Sequence, residues 1–537
     1  MIQNKTYDLA AKFANIEIQQ INDNEIHTTT NTENIVELCS FIYSEIGCML
    51  SCIICTDERQ INGKFVLRYV FSKNGDDVFF VATTRIDGNA TKFPTLTGKI
   101  PSALLYEREI KDMFGLIPEG AADQRPLVLH GWPEGNYPLR KDFDIQTKLS
   151  HAKDEYSFLE VDGAGICEIP VGPVHAGIIE PGHFRFSTLG ENIVNLETRL
   201  FYTHKGVEKM AESMPMDDVV LLSERIAGDE SVANSTAFCQ AVEKIAQVRI
   251  PLKALQTRTV CAELERIYNH LGTLAGMSTD AGLAFGAARL NILKERAMQL
   301  NEKTSGSRIL FGTNRIGGVK IDLTDSLKNI ILNDIEYLEN DFAQILEFLR
   351  KKSSFIDRLK NTGTITKEDA IAFGIVGVAA RCIGIDVDTR KDHPYANYSS
   401  LHLQQHDTPY QKMQYQIELQ KRNGDALSRF LIRAEEIQDS MNIIRQTLRD
   451  LDSAGPSYCE IGTLETYRHA LGYAESHRGQ TIHWVMAGQN NSIYRYKIRT
   501  ASFCNWKIIE QAVLNDIVAD FPLVNKSLDL SYSGNDL

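Results

Sequence analysis

Three stretches near the start of the chain, LSCIICTD (50–57), GKFVLRYVFS (63–72) and DVFFVATTRI (77–86), carry hydrophobic and polar residues in the period-two pattern of half-buried strands. Asn62-Gly63 and Asn74-Gly75 separate them, and such pairs suit tight hairpin turns, so the pattern predicts a small antiparallel meander. The preceding run NTENIVELCSFIYSEI (31–46) places apolar residues at helical spacing. The first 150 residues therefore read as an α+β unit. After Leu149 the period lengthens to that of helices, over roughly Ser235 to Arg249, Leu255 to Lys303, Thr324 to Leu359 and Gly424 to Leu451. Residues 151–537 are thus expected to form a second domain dominated by a helical bundle. Thr366 followed by Asp369 resembles a capping box. TIHWVMAGQNNSIYRYKIRT (481–500) reads as a hairpin with QNN at its bend.

At 537 residues, 43% hydrophobic and 24% charged, the chain has the composition of an ordinary globular protein with more than one domain. Its formal charge of -13 opposes non-specific attraction to nucleic acid or anionic lipid, so protein and small-molecule partners are expected and nucleic acid is not. MIQNKTYDLAAKFAN lacks the apolar core of a secretory signal, which predicts a cytoplasmic location. The apolar stretch IAFGIVGVAARCIGI (371–385) is interrupted by Arg381 and falls short of the ~20 apolar residues that a membrane span needs. Ten irregularly spaced cysteines suit a reducing compartment. Cys52 and Cys55 form a C-x-x-C, but on a strand residues three apart face opposite ways, so core filling is the expected role.

Neither a dinucleotide fingerprint nor a phosphate-binding P-loop occurs. ERIAGDESVANSTAFCQAVEK (224–244) reads as a loop that tightens through Gly228 and feeds a helix. A soft metal site could place a C-x-x-C pair on such a turn, yet Ala227 and Glu230 stand where the thiolates would fall.

YEREIKDMFGLIPEG (106–120) and PLVLHGWPEGNYPLRKDF (126–143) closely resemble the signature of the C-type subunit of NADH-quinone oxidoreductase, complex I. Six further segments resemble the D-type subunit of complex I and the large subunit of energy-converting membrane hydrogenases, including hydrogenase-4 and formate hydrogenlyase. In order they are IPVGPVHAGIIEPGHFRF, ERIAGDESVANSTAFCQAVEK, LERIYNHLGTLAGMSTDAGLAFG, ARCIGIDVDTRKDHPYANY, GDALSRFLIRAEE and IVADFPLVNKSLDLSYSG. A C-type part fused ahead of a large-subunit part is the hydrogenase-4 arrangement. The fold implied is α+β: an N-terminal meander domain over 1–150, then a mainly helical [NiFe]-hydrogenase large-subunit-like domain over 151–537.

By resemblance, a nickel–iron centre would need four cysteines, at the positions of Ala227, Glu230, Ser531 and Gly534. No [NiFe] centre is expected, and no metal or covalent cofactor in this chain. The D-type subunit of complex I lacks the same cysteines, and its pocket is the quinone end of an electron path. Here His175 matches the first of its two quinone-facing histidines, whereas Ile179 and Gly228 replace the second histidine and a tyrosine. Arg225 and His270 match residues close to the Fe–S cluster of a small partner subunit. Asp280 matches the partner of the quinone-site histidine. Glu180 and His183 match a proton-carrying E-x-x-H loop. Asp229 and Glu230 add acids to the former ligand loop, Asp386, Arg390 and Asp392 are placed near the pocket wall, and Arg390 or Arg478 could serve as counter-charge. The charge run Glu107, Arg108, Glu109 and Asp112 reads either as a solvated face or, by resemblance, as an intersubunit anchor.

Three readings follow. In the first the chain is a quinone-reductase-like electron-transfer subunit of a complex I-like assembly on the cytoplasmic side of the membrane, with Glu180, His183 and Asp280 handling protons. His175, Arg225, Glu230 and His270 then face the quinone cavity or the cluster. In the second it is a non-catalytic scaffold. An active [NiFe] hydrogenase is the third and weakest reading.

Overall fold

The computed structural model describes residues 12–13, 16–22, 24–154, 156–176, 179–401 and 422–537. The meander expected near the N-terminus is present as β3 (Met49–Glu58), β4 (Lys64–Lys73) and β5 (Asp76–Asp87), all antiparallel. Two strands that the sequence pattern did not indicate, β1 (Glu17–Asn22) and β2 (Glu25–Thr30), extend it to the order β1-β2-β5-β4-β3. β2 runs parallel to β5, and α1 (Ile35–Ser44) makes the crossover to β3. α1 buries Ile35, Leu38, Cys39 and Ile42, the i, i+3, i+4, i+7 stripe that its sequence dictates. Cys52 and Cys55 both lie in the core, and burial pushes the Cys52 thiol up to about 12.

β6 (Lys92–Pro94) and β7 (Ile117–Glu119) pair in parallel around α2 (Leu104–Phe114). α2 carries the charge run, which is not a solvated face: Glu107, Arg108 and Glu109 are buried. Glu107 accepts hydrogen bonds from the hydroxyls of Thr95 and Thr97 and the Leu96 amide, Arg108 donates to the Arg125 and Pro126 carbonyls, and Glu109 pairs with Lys497. Of these contacts, the Glu109–Lys497 pair joins the first unit to the second.

The second unit contains three β ladders, two of which helical periodicity hid. β8 (Ile166–Val171), β9 (His183–Leu189) and β10 (Asn192–Arg199) form one antiparallel sheet. β11 (Asn314–Arg315) and β12 (Gly318–Val319) form a short ladder. β13 (His469–Ser476), β14 (Gly479–Ala487) and β15 (Ile493–Arg499) form the third, so the hairpin expected over 481–500 is β14 and β15 with a further strand beside it.

The helices follow the predicted segments with breaks. α3 (Ser231–Ala246) packs on β13 and β14. The segment expected from Leu255 to Lys303 is two helices, α4 (Leu252–Asp280) and α5 (Ala284–Ser305). They separate where Gly282 takes φ +75°, a conformation that L side chains resist. α6 (Asp325–Arg350) starts at Thr324, whose hydroxyl accepts from the Leu327 amide, and the chain breaks at 351–352 before a short helix, Ser353–Leu359. α7 (Ala426–Arg449) packs against α4, which is buried on nearly every side. α8 (Phe521–Leu528) and α9 (Tyr532–Asp536) end the chain, α8 lying against α4. Among the described residues, no helix is long and apolar enough to cross a membrane.

Candidate functional site

A cleft of about 490 Å3 opens where several of these elements end. Its wall is made by Ile179 and Glu180 before β9, Gly228 and Asp229 before α3, Asp280 at the end of α4, Arg478 in the β13–β14 turn, and Pro522, Asn525, Lys526 and residues 529–533 on and after α8. That volume falls within the ~300–1,000 Å3 usual for small-molecule sites. Ser476 faces Gly479 across the two-residue turn, which projects His477 and Arg478 from the sheet toward the end of α8.

Of the four positions that matched metal ligands, Ser531 lines this cleft, and Gly534 lies against Ser531 and Ala227. A Cβ placed on Gly534 would lie 3.5 Å from the Ala227 methyl, in ordinary contact. Ser531 caps α9, its Oγ accepting from the Gly534 amide at 2.9 Å. Glu230 does not reach the cleft; it is 2% exposed and lies one layer below, its Oε1 accepting from Ser476 Oγ at 2.7 Å.

Charge in the cleft is organised by Arg478. Its Nη2 donates to Asp229 at 2.7 Å, its Nε to the Asp529 carbonyl, and its Nη1 stands 3.5 Å from Glu230 Oε1 without a hydrogen bond of its own. Burial opposes the guanidinium charge, but Asp229, Glu230 and Asp529 more than offset it and hold Arg478 well above its ordinary range. Asp529 accepts from Thr273 Oγ1 at 2.6 Å. Burial works against its carboxylate, and Arg478, Lys526 and Arg433 together still hold it below the usual range. Partial burial raises Asp280, with Lys526 acting in the opposite sense.

Glu180 lines the cleft and accepts from the Ser533 amide at 3.0 Å, tying the loop before β9 to α9. His183 and His175 contact backbone instead. His183 Nδ1 lies 3.2 Å from the Gly172 carbonyl and His175 Nε2 lies 2.8 Å from that of Gly182, so both brace the loop that carries Glu180. Burial lowers the His183 pKa.

Arg225 and His270 share no hydrogen-bond or ion-pair partner. Arg225 is half exposed, bonded to Glu224 and stacked over Phe311 at 4.1 Å. His270 is fully buried on α4 and its Nε2 meets Glu436 on α7 at 2.8 Å, while Nδ1 has no partner. Glu436 is already neutralised by Arg381 and Arg266, so a proton on His270 would gain little there. Burial therefore dominates and holds the imidazole down to about 4. With Nδ1 bare, the assigned tautomer is Nε2–H donating to Glu436.

Behind the cleft these contacts extend into a buried ion network. The His270 and His477 rings meet edge to face at 6.1 Å, Arg381 joins Glu436 to Glu475, and Glu263 gathers Tyr398, Ser440 and Arg390. Arg390 pairs with Asp388, and Asp392 accepts from the Gly75 amide of the first unit. Asp386 is exposed and paired with Lys391. Asp386, Arg390 and Asp392 are thus not part of the cleft wall. Asp529, Lys526, Glu265 and His477 were not singled out from the sequence. Asp529 lies two residues before Ser531, itself a former ligand position, and this proximity was the available signal. Among the described residues, no group of three or more His, Cys, Asp or Glu side chains is arranged to hold a metal ion.

Comparison with known proteins agrees with this architecture. Residues 28–149 match the family described as respiratory-chain NADH dehydrogenase, 30 Kd subunit, and residues 286–465 and 462–536 match the 49 Kd subunit. Formate hydrogenlyase subunit 5 of Escherichia coli (strain K12) is 33% identical over 95% of this chain and 89% of its own length. Hydrogenase-4 component G of the same strain is 31% identical over 95% and 88%. The fused C/D-type subunit of NADH-quinone oxidoreductase from Hydrogenobaculum sp. (strain Y04AAS1) is 28% identical over 79% and 80%. A chain in the structure of the membrane-bound sulfane sulfur reductase, an archaeal respiratory membrane complex, superposes with a TM-score of 0.63 at 25% identity, covering 70% of this chain and 99% of that one. With both parts matched and full-length relatives above 30% identity, the chain belongs to the family of fused complex I 30 kDa- and 49 kDa-like subunits that includes formate hydrogenlyase subunit 5 and hydrogenase-4 component G.

Proposed function

We propose that this chain is the electron-transfer subunit of a membrane-attached respiratory complex related to hydrogenase-4, and that a small reducible molecule, a quinone by first choice, is reduced in the cleft without a [NiFe] centre. Its relatives are subunits of complex I-like and hydrogenase-type assemblies, which supports a role inside such a complex. Electrons arrive from an Fe–S cluster of a small partner subunit, and further partners are the complex I-like membrane subunits. The chain sits peripherally on the cytoplasmic side of the membrane.

The observation that carries the reading is the donor set at the four former ligand positions. Ala227 and Gly534 offer no side-chain donor, Ser531 Oγ is committed to capping α9, and Glu230 is committed to Ser476 beside Arg478. Nickel and iron in such a centre require soft thiolates, so these residues do not fit it. What the cleft offers instead is acid–base chemistry: Glu180 and Asp280 on its wall, with Lys526 and Arg478 as cations. Asp280, raised by partial burial, is suited to exchange a proton with a bound acceptor, and Lys526 or Arg478 can stabilise the negative charge that reduction places on it.

The test is electron transfer from the natively purified, chemically reduced complex to a short-chain quinone, beside the same complex with Asp280→Asn. Reduction that slows at least tenfold in the variant supports the reading. If no quinone is reduced while the complex still accepts and returns electrons to a dye, quinone is removed as the acceptor and the scaffold reading takes its place. Nickel bound at one atom per chain would overturn both.

A further inference from the structure

Lys526 reaches the cleft across a gap in the side chains of α4. A Cβ on Gly276 would stand 2.8 Å from Lys526 Cδ, 2.9 Å from Cε and 3.0 Å from Cγ, a crowding that a real methyl does not sustain. The lysine stem therefore lies flat on α4 where that helix has no side chain, and the packing of α8 against α4 sets it there. Asp280 ends α4 four residues beyond Gly276, one turn along the same face, and Lys526 and Asp280 both line the cleft. The seat directs the ammonium along α4 toward the acid at its end.

The two cations of the wall are not equivalent. Arg478 is 6% exposed and is taken up by Asp229 and the Asp529 carbonyl, with Glu230 facing its remaining nitrogen. The Lys526 side chain is 43% exposed, and its Nζ stands 3.8 Å from Asp529 Oδ1, beyond hydrogen-bond reach. Asp529 is already supplied by Thr273 Oγ1 and by the charge of Arg478. An ammonium carries three donors, and among the described residues none of these is spent in a hydrogen bond.

The lining selects against an anion. Glu180, Asp229, Asp280 and Asp529 face Arg478 and Lys526, so the resting cleft has no positive excess even with Asp280 protonated. A molecule that arrives negative is repelled. One that arrives neutral and gains negative charge on reduction is held by the ammonium most strongly at that moment, which is the condition for catalysis.

We propose that Lys526, seated on Gly276, binds the reducible oxygen of the acceptor, and that the acceptor is a neutral carbonyl compound rather than an anion. The proposal rests on the reading of the cleft as the place of reduction. Two electrons, passed singly from the partner's Fe–S cluster, and two protons convert two conjugated carbonyl groups to hydroxyls. One proton leaves the Asp280 carboxyl and the other comes from solvent, which also reprotonates Asp280. Lys526 Nζ donates to the oxygen on which the first charge falls. Gly276 is a positioning residue that acts through Lys526.

The test uses the natively purified, chemically reduced complex with a short-chain quinone and with the same quinone carrying a sulfonate. Wild type should reduce the neutral form with a kcat/KM roughly tenfold higher or more. Lys526→Met should lower kcat for the neutral quinone by roughly tenfold with little change in KM, and Lys526→Arg should recover part of the loss. Gly276→Ala displaces the flexible stem rather than backbone, and alanine is the better helix former, so α4 itself is kept. It should lower kcat by roughly threefold alone and add nothing in a complex that already carries Lys526→Met, whereas a merely structural glycine would add its own loss. In the resting complex without acceptor, acetic anhydride should label Lys526 faster in Gly276→Ala than in wild type, because the unseated stem is more exposed. Equal labelling overturns the seat. An undiminished kcat in Lys526→Met overturns the role of Lys526 and leaves the cleft reading standing, and equal use of the sulfonated quinone overturns the neutral class. A wild-type complex that reduces neither quinone sinks the cleft reading and the acceptor with it, while faster labelling of Gly276→Ala still upholds the seat.

Discussion

Arg478 and Asp229 are 249 residues apart in sequence and 2.7 Å apart in the fold. The contact ties the β13–β14 turn to the loop before α3, and through the Asp529 carbonyl the same guanidinium ties both to the end of α8. In a hydrogenase-like pocket soft ligands would join two of these loops through metal; here a buried cation joins them.

Removing that cation should therefore loosen the site as a unit. Arg478→Ala leaves Asp229, Glu230 and Asp529 facing one another, and breaking a buried ion cluster at one partner costs about 3–5 kcal/mol. Arg478→Lys keeps the charge but not the fork, and should recover part of the loss. Thermal unfolding of the purified complex measures both, and an unchanged midpoint in Arg478→Ala would show that the loops are held by packing alone.

Acid stability carries a second prediction. His270 is held down to about 4 by burial, below its unfolded value of about 6.5, so the unfolded chain binds the extra proton first as pH falls. Stability is then complete above about pH 6.5 and is lost as pH drops toward 4. For this group alone the loss approaches ~3 kcal/mol. Glu265, raised to about 8 from near 4.5, acts in the opposite sense: its contribution is complete below about pH 4.5 and is lost as pH rises toward 8. His270→Gln should flatten the acid limb of the stability–pH curve, and Glu265→Gln the limb above pH 5. Parallel limbs in wild type and variants would refute these assignments.

Gly472 on β13 sits where α3 crosses the sheet. A Cβ there would run into the Ala237 carbonyl and the Ala241 amide, backbone atoms that cannot rotate away. Gly472→Ala should force α3 off the strand at a cost of about 3 kcal/mol, the upper end for overpacking. Thermal unfolding of the full chain measures the loss, and a variant as stable as wild type would mean that the strand bulges locally to admit the methyl.

The strands β3 to β5 were legible because their alternation is carried by large apolar residues such as Phe65, Leu67, Phe79 and Val81. β1 and β2, EIQQIN and EIHTTT, were not: mostly polar, they owe their place to the open edge of β5 and to contacts such as Lys244 with Glu25. Helix existence was legible and helix ends were less so. The break at Ala281-Gly282 falls inside an unbroken apolar period, and only the left-handed Gly282 stops α4. In the site, the sequence brought Asp229 and Glu230 to notice together, yet one lines the cleft and the other lies beneath it. That division is made by where α3 begins and by Glu265, 35 residues further on, which no local pattern joins to them.

The last prediction concerns how the two units are held. Along β15 every second residue is cationic, and all three of these side chains turn toward the first unit. Arg495 donates to the Cys55 carbonyl at 3.0 Å, Lys497 pairs with Glu109, and Arg499 donates to the Ser51 carbonyl at 2.8 Å. Lys497 and Glu109 are both buried, and Glu208 lies 3.3 Å from the same ammonium. Burial raises Glu109 while Lys497 opposes the rise, so its charge depends on that partner. Lys497→Met should cost about 3–5 kcal/mol by stranding Glu109, whereas Lys497→Met with Glu109→Gln should cost much less, because a neutral pair of similar volume leaves no charge uncompensated. A double-mutant cycle on unfolding of the full chain gives the coupling directly. A coupling near zero would place the docking energy in the apolar contact of Tyr106 with Phe503 rather than in the ion pair.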